Sequence, residues 1–179
     1  SSPEFYTVPA RSEITFRHLL THTAGLANQC SSDPTKDIYL NQVSSIRTSG
    51  GTLKQGMEAL AKIPLNFHPG DKWQYGPATD VIGYLVEVIS GMPFDRFLRE
   101  RIFEPLGMKD TYFYVPENKL SRRVTVYATE GGDLSVRKDL MKMTVPPREN
   151  RYFSGAGGLF STAEDYLLFS LMSLGEGQF

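Results

Sequence analysis

Apolar residues recur at helical spacing in several stretches of this chain and alternate in only a few short ones, a pattern that predicts a mostly α fold with short β strands. The most apolar stretch runs from Ala78 to Ser90, where Val81, Ile82, Leu85, Val86, Val88 and Ile89 cover most of the circumference. A helix apolar nearly all round belongs inside a domain. Gly76 suits its N-cap and Pro77 its first helical position, because the ring presets φ and the missing N–H would be unpaired there. Gly91 supplies the stop, so the helix is expected over 77–90.

Four further helices follow from the same spacing. Phe16, Leu19 and Leu20 predict a short one over 15–23, capped by Thr15, and Leu53, Met57, Leu60 and Ala61 predict one over 52–62 that Pro64 ends. Phe94, Phe97, Leu98, Ile102 and Phe103 share one face of a helix over 93–103, with Arg96, Arg99, Glu100 and Arg101 on its solvated face. Tyr166, Phe169, Leu171 and Met172 continue a helix over 162–174, opened by Thr162 with Asp165 three residues on in the manner of a capping box. The polar stretch 31–51 holds room for one more, over 34–45. Alternation predicts strands at Thr111–Val115, Val124–Ala128 and Leu134–Val136, the last two as a hairpin around Gly131-Gly132. Residues 1–11 read as an extended lead-in and 141–150 as loop.

The 179 residues, 40% apolar and 12% aromatic, suffice for one domain with a real core. Nineteen basic against twenty acidic residues leave a net charge of −1, so nothing in the charge points to nucleic acid or a membrane surface. No apolar run has membrane-spanning length. Cys30 is the only cysteine, which excludes an internal disulfide and argues against a cysteine-built metal site. A start at Ser1 without methionine reads as a processed or excised piece, from which a signal peptide could have been lost.

Tyr75 is the first candidate for chemistry. It sits where a polar loop enters the apolar helix, beside free N–H groups and a dipole end that favour negative charge, a plausible seat for a general base. The alternative is a half-buried aromatic with its hydroxyl in water. His18 and His22 stand four apart, which is metal-ligand spacing. No Glu follows His18 as in H-E-x-x-H, and His68 lies in a Pro-Gly turn, so no metal is expected; the reading preferred is that His22 and Thr23 bond to nearby backbone. The run Ser154-Gly155-Ala156-Gly157-Gly158 lacks the spacing of a phosphate cradle and reads as close backbone packing.

Three stretches resemble motifs of one family. Ile14 to Leu26 is similar to T-x-R-x-L-L-T-H-T-S/A-G-L, Tyr75 to Leu85 to Y-S-x-A-T-D-V-L-G-x-L, and Gly157 to Asp165 to G-G-L-x-S-T-A-x-D. They span nearly the whole chain. The family is the serine β-lactamase-related group: class C β-lactamases, D-alanyl-D-alanine carboxypeptidases and β-lactamase-like esterases. The resemblance implies a five-stranded antiparallel sheet flanked by helices with an inserted helical lobe. Residues 1–179 would be a single partial domain, mostly that lobe.

The resemblance also implies the chemistry: a serine hydrolase forming an acyl-serine intermediate on small esters or D-Ala-D-Ala-like and β-lactam-like amides, without a cofactor, with Tyr75 catalytic. Such enzymes need S-x-x-K, the tyrosine motif and a Lys/His-Thr-Gly-like triplet. The first should precede Thr15 and the third follow Phe179, so the fragment alone should be inactive. Ser135-Val136-Arg137-Lys138 and His68-Pro69-Gly70 match formally but stand in the wrong order. Pro77 replaces the Asn that helps class C enzymes bind the lactam amide, which favours an esterase. Gln29 occupies a place similar to that of a glutamine contacting the acyl side chain, and is the candidate substrate-binding residue; an exposed loop glutamine is the alternative. A non-catalytic binding or regulatory protein on the same scaffold is the competing function.

Overall fold

The computed structural model describes residues 6–29, 35–137 and 151–178. Cys30, the start of the 34–45 helix, Lys138 and the 141–150 loop lie outside them. The chain divides into two compact units, Ser1–Phe97 with Asn150–Gly157, and Leu98–Glu149 with Gly158–Phe179.

The first unit is helical. Its elements are α1 (Phe16–Leu20), α2 (Thr35–Tyr39) running through a π turn (Leu40–Ser44) into α3 (Ser45–Thr48), α4 (Leu53–Leu60), α5 (Ala78–Ser90) and the start of α6 (Phe94–Leu98). Two full capping boxes set where helices begin. Thr15 accepts from the His18 N–H while His18 Nδ1 accepts from the Thr15 N–H, and Thr52 and Gln55 do the same for α4. The His18 imidazole is thereby engaged in a cap. Leu53 and Val43, each 1% exposed, anchor a core with Ala27, Met57, Leu60, Ile63 and Tyr152. Full burial of side chains of this size stabilises by about 1.5–3 kcal/mol each.

The long apolar helix forms as α5, one residue shorter at its start than expected. Pro77 takes the cap position, its carbonyl accepting from the Val81 N–H at 3.1 Å, and Gly91 ends the helix at φ 68°. It is not enclosed all round. Ala78, Asp80 and Gly83 are buried, yet Val88 is 59% and Ile89 74% exposed. The circumference pattern reports what a helix could bury. Here α1, α4 and the 154–157 turn cover one side.

The glycine-rich turn packs backbone against backbone. A Cβ on Gly155 would stand 2.1 Å from the Thr79 carbonyl oxygen, so only glycine permits this approach to α5.

The second unit holds the end of α6, a π turn (Arg99–Phe103), α7 (Glu104–Leu106), a 3-10 helix (Glu117–Arg122), β1 (Tyr127–Glu130), β2 (Asp133–Val136) and α8 (Ala163–Leu174). The hairpin forms as expected in kind. Glu130 pairs with Asp133, leaving Gly131-Gly132 as a two-residue loop with φ 62° and 98°, the positive values a type I′ turn requires. The predicted strand 111–115 shrinks to one bridge, Tyr112 with Phe160, bonded at 2.9 and 2.7 Å. The Thr162 box is half made. Thr162 accepts from the Asp165 N–H at 3.2 Å, but the Asp165 carboxylate accepts instead from the Asp110 N–H at 2.7 Å and Thr111 Oγ1 at 2.8 Å.

Candidate active site

The chain around Tyr75 is held by three backbone bonds that join segments about forty to fifty residues apart. Gln74 N–H donates to the His22 carbonyl at 2.9 Å, Gly70 N–H to Thr23 at 2.8 Å and Asn66 N–H to Gly25 at 2.8 Å. The turn after α1 and the loop before α5 thus form one rigid edge. Gly25, at φ 76°, leaves no room for a side chain, since a Cβ would lie 2.4 Å from the Phe67 carbonyl oxygen.

On this edge three aromatic rings gather. His22 lies 4.9 Å from the Tyr75 ring, tilted by 37°, and 6.3 Å from the Trp73 ring in an edge-on arrangement. His22 adopts φ 54°, uncommon for a residue with a Cβ. Its side chain does not bond to backbone as anticipated: Nδ1 is buried without a hydrogen-bond partner, while Thr23 Oγ1 meets Thr21 Oγ1 at 2.9 Å. Tyr75 is 59% exposed, with one side of its ring against His22.

Tyr75 opens onto a cleft of about 190 Å³, and Gln29 lines the same cleft. The remaining walls come from Asn28, from Tyr39, Ser44 and Arg47 of the α2–α3 segment, from Gly76, Pro77 and Asp80 at the start of α5, and from Ser154 and Ala156. Both residues singled out from the sequence therefore face one space. A larger hollow of about 900 Å³, lined by 6–14 and 60–72 among others, does not include Tyr75.

The cleft floor is polar, and its carboxylate is held by hydrogen bonds. Asp80, 3% exposed, accepts from Ser154 Oγ at 2.6 Å and from the Ala156 N–H at 3.0 Å. Burial first, then the Asp80 charge, holds the Tyr152 phenol well above its usual pKa, so it stays protonated. Ser154 donates to a carboxylate inside the packed turn and has no base of the kind that activates a nucleophile. Sequence reading passed over Asp80, Ser154 and Arg47. A carboxylate in the first turn of an otherwise apolar helix was the available signal, since such a group is buried only with partners.

Of the formal motif matches, His68-Pro69-Gly70 lies in the turn before Trp73 and does not line this cleft, and Ser135 lies on β2 of the second unit. Among the described residues no helix is long and apolar enough to cross a membrane.

The comparisons with known proteins agree on one family. The family model described as Beta-lactamase matches residues 3–178. Protein Rv1367c of Mycobacterium tuberculosis is 38% identical over 174 residues, covering 96% of this chain and 41% of the relative. Esterase EstB of Burkholderia gladioli is 30% identical, covering 86% of this chain and 43% of the relative. Among solved structures, EstCE1, a hydrolase with promiscuous acyltransferase activity, superposes with a TM-score of 0.78 at 27% identity, over 93% of this chain and 47% of that one. The chain thus spans about two-fifths of the length of the curated relatives it matches. Its helices, short hairpin and three motifs are the helical portion of a β-lactamase/transpeptidase-like fold, and the chain belongs to the Beta-lactamase family.

Proposed function

We propose that the whole protein is a serine hydrolase acting on small esters through an acyl-serine intermediate, and that Tyr75 is its general base and then its general acid. Residues 1–179 supply the tyrosine-bearing part of a single larger domain; the serine and lysine come from outside them, and the chain by itself is inactive. The observation that carries this reading is the placement of Tyr75: an exposed phenol, its ring fixed by His22, opening with Gln29 onto one cleft at the start of a thirteen-residue helix.

The chemistry follows from proton balance. The serine oxygen attacks the ester carbonyl while its proton passes to the Tyr75 phenolate oxygen; the phenol then returns that proton to the departing alkoxide. Water next attacks the acyl-serine, giving a proton to Tyr75, which passes it to the departing serine oxygen, so that the acid is released and the serine hydroxyl and the phenolate are both restored. A phenol with an ordinary pKa near 10 is a weak base at neutral pH. Positive charge from the partner lysine, with a smaller contribution from the α5 N-terminus, would stabilise the phenolate. Pro77 offers no side-chain amide to the substrate, which supports ester over lactam.

Tyr75→Phe in the complete protein tests the proposal, because it retains the ring against His22 and removes the hydroxyl alone. The melting temperature should hold while kcat falls by roughly 10²–10⁴, the usual worth of a positioned acid–base group. Full ester turnover by the variant overturns the assignment.

A further inference from the structure

The helix of residues 35–48 contains a π turn at Leu40–Ser44, beside the Tyr75 cleft. Residues five apart in an unbroken α-helix lie about 140° apart around its axis, so Tyr39 and Ser44 would face different ways. Across the π turn both line the cleft, and Arg47, three residues beyond Ser44, lines it too. Such turns concentrate at functional sites, and this one brings a cation to the cleft wall.

The guanidinium lies over the Tyr152 ring, 5.9 Å from its centroid, and no carboxylate pairs with it among the described residues. The Asp80 carboxylate in the cleft forms no ion pair with it and is held by Ser154 Oγ and the Ala156 N–H. The Tyr152 hydroxyl keeps its proton and adds no negative charge. Among the described residues one cation therefore lines the cleft without an ion-pair partner, against an aromatic ring, and a guanidinium is the group suited to a planar anion.

We propose that Arg47 is a specificity-determining residue that binds a carboxylate carried on the acyl group, making the preferred substrates monoesters of short dicarboxylic acids. This rests on the hydrolase reading above. The ester carbonyl lies towards Tyr75 and the free carboxylate at Arg47. The cleft has the volume of about six waters in the liquid, enough for a short acyl chain.

The test compares p-nitrophenyl hydrogen adipate with p-nitrophenyl hexanoate, which match in chain length and differ in the terminal charge, in the complete protein and in its Arg47→Gln and Arg47→Lys variants. The ratio of kcat/KM values, adipate over hexanoate, should fall at least about tenfold in Arg47→Gln, through KM, as expected for a charge-assisted bond, and be partly retained in Arg47→Lys. Calorimetric titration with adipate itself should show binding that Arg47→Gln removes. A ratio indifferent to both substitutions, or adipate binding unchanged in Arg47→Gln, overturns the proposal. Hexanoate turnover that depends on Tyr75 alongside an indifferent ratio sinks the anion subsite and leaves the hydrolase standing. Arg47-dependent adipate binding with neither ester turned over does the reverse.

Discussion

The two units hold similar polar ingredients and use them in opposite ways. In the second unit Asp110 accepts from Lys119 Nζ at 2.5 Å, from Arg122 Nη1 at 2.8 Å and from the Tyr112 hydroxyl at 3.0 Å, in a hollow also lined by Ser161 and Thr162. Hydrogen bonds from Lys119 and then Arg122 hold the Asp110 pKa far below the usual carboxylate range. Asp110, Lys119 and Arg122 thus find their partners in one another. Around Tyr75 the carboxylate faces into the packed turn, while a phenol and a guanidinium face the cleft. A cluster whose charges satisfy one another holds a loop in place; one that leaves a phenol and a cation facing open space offers both to a ligand.

The sharpest way to break this comparison is to remove one hydroxyl from each unit. Tyr75→Phe should lower kcat by the roughly 10²–10⁴ given above with no loss of stability. Tyr112→Phe removes a phenol whose hydroxyl bonds to Asp110 and to the Lys109 carbonyl, and should change the melting temperature while leaving kcat alone. Reversed outcomes would exchange the roles of the two clusters.

The two buried carboxylates make a second contrast. Asp80→Ala strands the Ser154 hydroxyl, and Asp165→Ala strands the Asp110 N–H. Each should cost roughly 1.5–3 kcal/mol in denaturant unfolding, the usual worth of hydrogen bonds to a charged acceptor. Only the Asp80 change should also raise KM, because it loosens the cleft floor. Equal kinetic effects would show that the cleft does not depend on that floor.

These outcomes bear on what the sequence made legible. Helix starts were readable where the cap is local, as at Thr15 and Thr52, because donor and acceptor lie three residues apart. The same reading met its limit at Thr162, where Asp165 had a competing partner fifty-five residues away. Tyr75 and Gln29 were legible as candidates from motif position. Arg47 and Ser154 were not, since the first reaches the cleft through a π turn that leaves no periodic signature, and the second through a glycine approach to α5. The exposure of Val88 and Ile89 also lay beyond periodicity, which reports a helix's own surface and says nothing of its neighbours.

A milder probe of the cleft is its rim. Gln29 is exposed and lines the cleft with Tyr75, so its amide can meet the acyl chain without touching the reacting bond. In the complete protein Gln29→Ala should shift KM among acyl chain lengths by a few-fold and kcat much less, the pattern of lost uniform binding. Unchanged KM for every ester would return Gln29 to the surface.

The smallest effect belongs to the satisfied cluster and is seen only in acid. The folded-state pKa of Asp110 is depressed below its ordinary 3.8, so its contribution to stability is complete above that pH. As pH falls below about 3.8, the unfolded chain takes up a proton that the folded cluster refuses, and the contribution declines towards the folded pKa. The melting-temperature gap between the protein and Asp110→Asn should therefore be constant from mildly acidic to neutral pH and narrow below about pH 3.8. Added salt should shrink it at every pH, because the Lys119 and Arg122 partners lie at the surface where ions screen them. A gap that held its full size into strong acid would mean that the loop is kept by packing, and that the ion cluster only decorates it.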